Sequence, residues 1–226
     1  MNTATKQKPA GTTKVLLVED HPMFRDQLAK IIEEEPDMQV CAAVDNSRDA
    51  LEAVARLEPD LAIVDVALKG PGGLEFIKDL RAQNSTMPAL VLSMHQESLY
   101  AERVLQAGAM GYISKSQPAS ELKRAIRQVL SGEVYLSAEM TSSVLKRMAA
   151  GAGTPARMGV DALTDRELEI FQLIGRGQNM NAIAKVLNLG SSTVETYRAR
   201  VREKLGVKNA AELYSVAAHW LKDQGM

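Results

Sequence analysis

The sequence predicts an α/β protein, in which a doubly wound, five-stranded parallel sheet is followed by a small all-α domain of four helices with a helix-turn-helix. Two observations carry this prediction. Between Lys14 and about Gly132, short apolar runs alternate with segments whose apolar residues have the 3.6-residue spacing of helices. Residues 161–222, in contrast, contain no strand-like run. Near-continuous apolar strands separated by helices indicate a parallel sheet that is covered on both faces.

The elements of the first part follow one another regularly along the chain. Strand-like apolar runs lie at 14–18, 38–44, 61–65, 89–93 and 111–114. Helical patterns are predicted between and after them, at 22–34, 48–57, 74–82, 97–107 and 120–130. Five such strand-helix units are typical of a doubly wound domain.

The second part of the chain is purely helical. Residues 133–160 are rich in Ala, Gly, Ser and Thr, and they are predicted to form a short helix that runs into a flexible linker, 149–159. Four helices follow, at 165–176, 181–187, 192–205 and 209–222, and Thr164 with Glu167 fits a capping box at the first of them. The predicted organisation is a first domain at 14–132, a linker at 133–160 and a second domain at 161–226.

Composition narrows the class of protein. The single cysteine, Cys41, excludes an internal disulfide and suits a reducing compartment. The N-terminal residues lack the apolar segment of a signal peptide, and no apolar run of about 18 residues could cross a membrane. Residues 1–140 carry 15 basic and 20 acidic side chains, whereas residues 161–226 carry 9 and 8. We therefore expect a soluble cytoplasmic protein that does not bind membranes, with its basic excess toward the C-terminus.

Charged and polar side chains follow four of the five predicted strands. Glu19 and Asp20 follow the first strand, Asp65 ends the third, Ser93 ends the fourth, and Lys115 follows the fifth. Ligands of doubly wound sheets bind beyond the carboxyl ends of the strands. These side chains are therefore expected to lie together at one edge of the sheet.

Three carboxylates at one place repel each other and need a cation. Oxygen ligands with room for water suit Mg²⁺, and Mg²⁺ together with Lys115 would neutralise a phosphoryl group. Asp65 can then be the nucleophile that forms an aspartyl-phosphate, and the Gly-Pro-Gly-Gly stretch after it would leave room for the incoming group. Singly, the residues have simpler interpretations: Asp65 could cap a helix, and Glu19-Asp20 before Pro22 could start one. Their joint placement favours a functional site.

The acidic pair, Asp65, Ser93 and the motif GYISK resemble the receiver domain of two-component response regulators, a flavodoxin-like fold, across all of 14–132. The resemblance implies that Asp65 accepts a phosphoryl group from a sensor histidine kinase. It also implies roles for the neighbouring residues: Mg²⁺ binding by Asp20, Asp65 and the Ala67 carbonyl with help from Glu19, a switch formed by Ser93 and Tyr112, and contact of Lys115 with the phosphoryl group.

The sequence departs from that pattern in two places. Glu19 stands where Asp is commoner, and Ser116 follows Lys115 where Pro is frequent, so a cis peptide bond is not assumed there. A Mg²⁺-dependent phosphatase of the haloacid-dehalogenase type would also use an Asp after a parallel strand. That class needs a second Asp two residues further on, where this chain has Ala67. The phosphatase is the weaker alternative.

Residues 183–205 contain two helices joined by a tight turn. The predicted inward-facing side chains are Ile183, Ala184, Leu187, Val194, Tyr197, Val201 and Leu205. The opposite face of the second helix is charged, with Glu195, Arg198, Arg200, Arg202, Lys204 and nearby Lys208. A charged helix face is usually only solvated surface. The helix-turn-helix spacing, however, would present this helix to the major groove of double-stranded DNA, where basic side chains neutralise phosphates.

Residues 161–222 also resemble the LuxR-type helix-turn-helix of the NarL/FixJ regulators. The resemblance implies DNA contacts from Thr193, Glu195, Thr196, Arg198, Ala199, Arg200, Arg202 and Lys204. We expect Glu195, Thr196 and Ala199 to read bases, and Arg198, Arg200 and Lys204 to hold phosphates. Departures from the pattern are Gly190 in place of a capping Ser, Ser192 in place of a frequent Lys, and Tyr197 in place of a common His.

The last helix has Leu213, Val216, Ala217 and Trp220 on one side. Packing on its own domain explains much of this pattern, and the resemblance suggests that part of the helix also pairs two DNA-bound domains. The sequence thus predicts a DNA-binding transcription regulator that is switched by phosphorylation, forms a homodimer when phosphorylated or DNA-bound, and is not an enzyme. The competing interpretation is a regulator that ignores phosphate, and the set of Asp20, Asp65, Ser93 and Lys115 argues against it.

Overall fold

The structure is a computed structural model and describes residues 11–68, 72–83, 85–94, 97–149, 159–187 and 189–223. The chain divides into two units, residues 1–141 and 142–226, and each unit is described by itself. Residues 70–71 of the predicted Gly-Pro-Gly-Gly turn and residues 150–158 of the predicted linker lie outside the described residues. No helix in the described part of the chain has the length and apolar character needed to cross a membrane.

Five strands form one parallel sheet in the first unit. They are β1 (Thr13–Val18), β2 (Met38–Val44), β3 (Leu61–Asp65), β4 (Ala89–Ser93) and β5 (Gly111–Ser114). Their order is β2-β1-β3-β4-β5, so β2 and β5 are the outermost strands. β3 and β4 are buried at every position, as expected of apolar strands covered on both faces. The predicted fold class is confirmed.

Five helices accompany the sheet in the described residues of the first unit: α1 (Pro22–Glu33), α2 (Ser47–Leu57), α3 (Gly73–Ala82), α4 (Glu97–Ala107) and α5 (Ala119–Leu130). A further helix, α6 (Ala138–Ala149), begins in the first unit and ends in the second. The bounds of α1 to α5 agree with the predicted ones to within one residue. Pro22 occupies the first position of α1, where its missing N–H leaves no intrahelical bond unmade. The side chain of Asn46 caps α2 by accepting a hydrogen bond from the Asp49 N–H (2.9 Å). α6 lies within the range predicted to be a linker with a short helix.

The register of the outer strand β2 against β1 is irregular. Val15 pairs with Val40 and Leu16 pairs with Ala42, so Cys41 is passed over. One face of the sheet is covered by α1 and α5, which bury Leu28, Ile32, Leu122, Ile126 and Val129 against the strands. This packing fixes the strands whose carboxyl ends carry the predicted site.

Between residues 159 and 223, the described part of the second unit has a short 3-10 helix (Gly159–Ala162) and four α-helices, α7 (Asp165–Gly175), α8 (Met180–Val186), α9 (Ser191–Leu205) and α10 (Ala210–Asp223). The predicted capping box is present at α7, where Thr164 accepts a hydrogen bond from the Glu167 N–H and Glu167 accepts one from the Thr164 N–H. Of the residues predicted to face inward, Ile183, Ala184, Leu187, Val194 and Val201 are buried, and Tyr197 and Leu205 are half-buried.

The helix α10 packs on α7 through a different set of residues than the pattern suggested. Leu213, Ala217 and Leu221 are buried, and the Trp220 ring lies 5.6 Å from the Phe171 ring in an edge-on arrangement. Val216, which was predicted to lie on the same side, is exposed (37 %). The i, i+4, i+8 spacing of the buried residues therefore defines the inner face of α10.

Candidate functional site

The carboxyl ends of the parallel strands bring the predicted site residues together. Glu19, Asp65 and Ser93 are all almost fully buried, with 1 %, 2 % and 0 % of their surface exposed. Their positions follow from the register, because Val18 pairs with Val64 and Asp65 pairs with Leu92. The sheet itself therefore holds these polar groups at one edge, as the order of the strands predicts.

Lys115 joins two of the buried carboxylates. Its Nζ lies 2.6 Å from Glu19 Oε2 and 2.8 Å from Asp65 Oδ2, and it lies 4.7 Å from the centre of the Phe24 ring. The Lys115 N–H also donates to the Ser93 carbonyl (2.8 Å), which fixes the chain as it leaves β5. A single ammonium group is thus shared between two carboxylates, and the cluster retains an excess of negative charge.

Burial and the neighbouring charge act together on the Glu19 carboxyl. Burial raises the pKa of the Glu19 carboxyl above its ordinary value, the neighbouring Asp65 charge raises it further, and Lys115 opposes both. Both raising effects disfavour a second negative charge at this place. An added cation would remove that cost.

The donor set fits a divalent cation. Glu19, Asp20, His21 and Asp65 each offer one ligand atom, and these atoms lie within 4.8 Å of one another. Three of the four donors are carboxylates, the oxygen ligands that Mg²⁺ prefers. His21 was not predicted as a member of this cluster; its Nδ1 lies 2.9 Å from both Glu19 Oε1 and Asp20 Oδ1. The only signal for it in the sequence is its place directly after the acidic pair, which a helix start also explains.

The chain after Asp65 is held close to the site. Asp65 Oδ1 accepts a hydrogen bond from the Ala67 N–H (3.2 Å), and the Gly73 N–H donates to the Val66 carbonyl (3.1 Å). A Cβ atom on Gly73 would lie 1.9 Å from the Asp65 carbonyl oxygen, so the loop can return this closely only with glycine at that position. This glycine therefore serves the close approach of α3 to Asp65.

The two predicted switch residues lie on neighbouring strands. Ser93 ends β4, and Tyr112 on β5 is buried (1 % exposed). Tyr112 pairs with Val91, and Ser93 pairs with Ser114, so the two residues are offset by two positions in the ladder. The described residues contain no cis peptide bond, and this includes the bond between Lys115 and Ser116.

Most side chains predicted to contact DNA lie on the outer surface of α9. Thr193, Glu195, Thr196, Ala199 and Arg200 are exposed, and Arg198 and Arg202 are half-buried. Arg198 forms an ion pair with Glu195, and Arg202 donates to the Lys208 carbonyl. Gly190 precedes α9 with extended backbone and provides no side-chain cap. The helix therefore presents polar and basic groups to solvent along one side.

Lys204 differs from the other basic residues of α9, because it contacts its own unit. Its Nζ lies 2.6 Å from Glu167 Oε2 and 3.3 Å from the Ala162 carbonyl. Burial would raise the pKa of Glu167, but hydrogen bonds from Lys204 and from the Thr164 N–H outweigh it and hold the pKa below its ordinary value of 4.5. The charge pattern alone did not reveal this internal partner.

We expect Lys204→Met to destabilise the second unit, because it leaves the buried Glu167 carboxylate without its ammonium partner. Hydrogen bonds to charged groups contribute about 1.5–3 kcal/mol, and the lower part of this range is expected because Lys204 is partly exposed. The lowered pKa means that this stabilisation is present above pH 4.5 and is lost as the pH falls through the folded-state pKa of Glu167. Urea unfolding followed by fluorescence of Trp220, the only tryptophan, reports on this unit.

Lys208→Met is the matched control, since Lys208 is exposed and its hydrogen bonds with Arg202 and Glu212 are made by its backbone. It should unfold at the same urea concentration as the parent chain. Equal midpoints for Lys204→Met and Lys208→Met at pH 7 would contradict a stabilising Glu167–Lys204 pair.

Comparison with known proteins agrees with both parts of the structure. Residues 15–127 match the family "Response regulator receiver domain", and residues 161–217 match "Bacterial regulatory proteins, luxR family". A putative transcriptional regulator of Pseudomonas aeruginosa is 34 % identical over 205 residues, which are 91 % of this chain and 97 % of that protein. The response regulator GacA of the same organism is 32 % identical over 206 residues, which are 90 % of this chain and 94 % of GacA.

A solved structure shares the fold over almost the whole chain. RcsB from Salmonella enterica serovar Typhimurium, bound to promoter rprA in the presence of the phosphomimetic BeF3-, has a TM-score of 0.58 and 23 % identity, covering 92 % of this chain and 99 % of RcsB. The relatives align over both units rather than over one of them. The chain therefore belongs to the NarL/FixJ family of two-component response regulators, which join a receiver domain to a LuxR-type DNA-binding domain.

Proposed function

We propose that this chain accepts a phosphoryl group on Asp65 from a sensor histidine kinase and that this event changes its binding to double-stranded DNA. The observation that carries the proposal is the position of Lys115 Nζ, 2.6 Å from Glu19 and 2.8 Å from Asp65, beside an acidic cluster at the carboxyl edge of the sheet. The proposed domains are a receiver at 14–132, a linker at 133–160 and a DNA-binding domain at 161–226.

The residues of the chain are suited to their parts in phosphoryl transfer. An Asp65 carboxylate oxygen would attack phosphorus while the bond from phosphorus to the donor nitrogen breaks, and the donor imidazole keeps the electron pair and takes up a proton. The Ala67 N–H and Lys115 hold the two oxygens of Asp65 before the reaction. Lys115 then neutralises negative charge on the transferred group. Ser93 and Tyr112 are the proposed switch residues that respond to it.

Mg²⁺ is the proposed cofactor of this site. Asp20, Asp65 and the Ala67 carbonyl would hold the ion, with Glu19 assisting. Bound Mg²⁺ supplies charge neutralisation for the phosphoryl oxygens. The raised pKa of Glu19 supports this proposal, because burial and the Asp65 charge both disfavour the ionised carboxylate and a bound cation would offset them.

The second unit is the proposed reader of DNA. The exposed side of α9 carries the polar side chains Glu195 and Thr196 together with the basic side chain Arg200, and the half-buried Arg198 pairs with Glu195. Because the whole unit has only a small basic excess, one copy should hold a half-site weakly, and a homodimer on adjacent half-sites gains through effective concentration. Exposed Val216 and Tyr214 on α10 are available for such pairing.

We also propose that the chain does not turn over an external metabolite. A phosphatase of the aspartyl-phosphate class needs a general acid two residues after its nucleophile, and Ala67 offers none. We further propose a cytoplasmic location, because a DNA-binding regulator must reach the chromosome.

The proposed function is tested by DNA binding of the full chain with and without acetyl phosphate and Mg²⁺. The probe is a duplex that the chain selects from a random-sequence library. Phosphorylation should raise affinity, either with a change in oligomeric state if receivers pair, or without one if the DNA-binding domain is released. Equal affinity in both states, with no change in oligomeric state, would favour the regulator that ignores phosphate.

We expect Arg200→Ala to weaken binding to every DNA sequence alike, because an exposed arginine on α9 is placed to neutralise a phosphate. The slope of log affinity against log salt should fall by about one unit. Glu195→Ala should instead change base preference, by about 1–3 kcal/mol at one position. Both effects are measured by titrating a panel of duplexes at several salt concentrations.

Lys222→Ala is the control for Arg200→Ala, since it removes one exposed positive charge from α10. It should leave the salt slope close to that of the parent. A changed base preference for Arg200→Ala with an unaltered salt slope would mean that the roles of Arg200 and Glu195 have to be exchanged.

A further inference from the structure

The chain that follows α5 returns to the sheet and extends it beyond β5. Tyr135 forms a parallel bridge with Gly111. The Tyr112 N–H donates to the Tyr135 carbonyl (3.0 Å), and the Tyr135 N–H donates to the Met110 carbonyl (2.9 Å). Because β5 is the outermost strand on this side, its backbone groups need partners from outside the five-stranded ladder. Tyr135 supplies a partner for the Tyr112 N–H of β5 and another for the carbonyl of Met110, just before the strand.

Gly111 allows this close approach. A Cβ atom on Gly111 would lie 3.0 Å from the Tyr135 carbonyl oxygen, 3.1 Å from Tyr135 Cβ and 2.9 Å from Leu90 Cδ1. A side chain at position 111 would therefore push the Tyr135 segment away from the strand. The residue of β5 that forms the bridge is thus the glycine, which has no side chain to block it.

The side chain of Tyr135 anchors the segment to α5. The ring is 8 % exposed and packs in the core with Ile113, Leu122 and Ile126. Its hydroxyl donates to Glu121 Oε2 (2.8 Å) and accepts from Arg124 (3.3 Å), whose guanidinium also lies 5.6 Å from the ring centre. Burial raises the pKa of the Tyr135 hydroxyl, which keeps it in the donor form. The backbone bridge is therefore held from both sides.

The bridge connects two parts of the chain that the proposed switch must link. On one side it holds Tyr112, on the strand that runs directly into Lys115. On the other side only Leu136 and Ser137 separate Tyr135 from the first residue of α6. Ser137 fixes the start of α6, since its Oγ accepts from the Met140 N–H (3.2 Å) and its carbonyl accepts from the Thr141 N–H (2.9 Å). A short path thus runs from β5 to α6, with hydrogen bonds at its two ends and the covalent chain of Tyr135, Leu136 and Ser137 between them.

We propose that Tyr135 is a positioning residue for the switch: it couples the backbone of β5 to α6 and so carries the state of the phosphoryl site toward the C-terminal part of the chain. This inference rests on the proposed function. Phosphorylation that displaces Tyr112 would move the Tyr135 carbonyl to which it is bonded, and α6 would follow because so few residues intervene. Without the bridge, Asp65 still accepts the phosphoryl group, but the rest of the chain does not respond.

The test compares three variants of the full chain. Tyr135→Ala removes the anchor, Tyr135→Phe keeps the ring but removes the hydrogen bonds of the hydroxyl, and Val134→Ala changes the exposed neighbouring residue as a control (Val134 is 49 % exposed). Two quantities are measured: phosphoryl uptake from acetyl phosphate with Mg²⁺, and the ratio of DNA affinities with and without phosphorylation on a duplex selected by the parent chain. A merely structural role would not change this ratio while leaving uptake intact.

Tyr135→Ala should take up the phosphoryl group like the parent. Its ratio of DNA affinities with and without phosphorylation should be about tenfold smaller than that of the parent. For Tyr135→Phe the affinity ratio should fall by less than it does for Tyr135→Ala. For Val134→Ala it should equal that of the parent. Hydrogen exchange should show that beryllium fluoride alters protection of residues 133–149 in the parent but not in Tyr135→Ala. An affinity ratio in Tyr135→Ala equal to that of the parent would overturn the proposal. If Tyr135→Ala fails to fold or to take up the phosphoryl group, a parent-like ratio in Tyr135→Phe would overturn it. If the parent chain binds DNA equally well with and without phosphorylation, the proposed function itself is refuted.

Discussion

Replacing Asp65 by Asn should abolish phosphoryl uptake by the full chain. The amide has the size of the carboxylate and can still accept the Ala67 N–H, but it lacks the anionic oxygen that attacks phosphorus. Intact-mass measurements after incubation with acetyl phosphate and Mg²⁺ should show one added phosphoryl group on the parent and none on Asp65→Asn. If receivers pair, a gain in DNA affinity of up to roughly 10²–10⁴ should disappear with it.

Asp60→Asn is the matched control for this experiment. It makes the same chemical change just before the opposite end of β3, where Asp60 accepts a hydrogen bond from the Lys14 N–H (3.0 Å). This variant should be phosphorylated like the parent. Labelling of Asp65→Asn to the level of the control, or labelling that a chelator does not reduce, would show that Asp65 is not the Mg²⁺-dependent acceptor.

The second large effect is expected for Asp20→Ala, which removes a proposed Mg²⁺ ligand. Beryllium fluoride mimics an acyl phosphate and should bind Asp65 only when Mg²⁺ is present. Loss of partners outside the ligand shell typically lowers metal affinity by about 10–100-fold, so loss of a direct ligand should lower it by more than about 100-fold. Fluorine NMR of the bound complex, titrated with Mg²⁺, measures this change.

Two variants show whether the effect is specific to the ligand. Glu19→Asp keeps the carboxylate and should preserve binding. Asp26→Ala removes an exposed carboxylate of α1 and should have no effect. Parent-like binding by Asp20→Ala would mean that other groups of the cluster, such as His21, hold the ion.

The sheet and its site could be predicted because both depend on local sequence features. Near-continuous apolar runs predict the strands, and they therefore also predict which residues end β3 and β4. Because ligands of doubly wound sheets bind beyond the carboxyl ends of the strands, Glu19, Asp65 and Lys115 are predicted to lie close together. The ion pairs of Lys115 with both carboxylates agree with this prediction.

Contacts that depend on a side chain's direction could not be predicted in the same way. The charge pattern groups Lys204 with its basic neighbours on α9, but its partly exposed side chain reaches the buried Glu167 carboxylate of its own unit. The return of Tyr135 to β5 involves a single residue, and a single residue has no periodicity to detect. His21 joins the carboxylate cluster through a rotamer that the sequence does not encode.

Neither edge strand of the sheet is both regular and uncovered, and this affects how copies of the protein can associate at high concentration. Tyr135 occupies part of the outer edge of β5, while the passed-over Cys41 disturbs the regularity of β2 at the opposite edge. Irregular or covered edges hinder the addition of strands from other molecules, the first step of amyloid-like aggregation. Edge-to-edge pairing of sheets between copies of the first unit should therefore be disfavoured, even in a crowded cell.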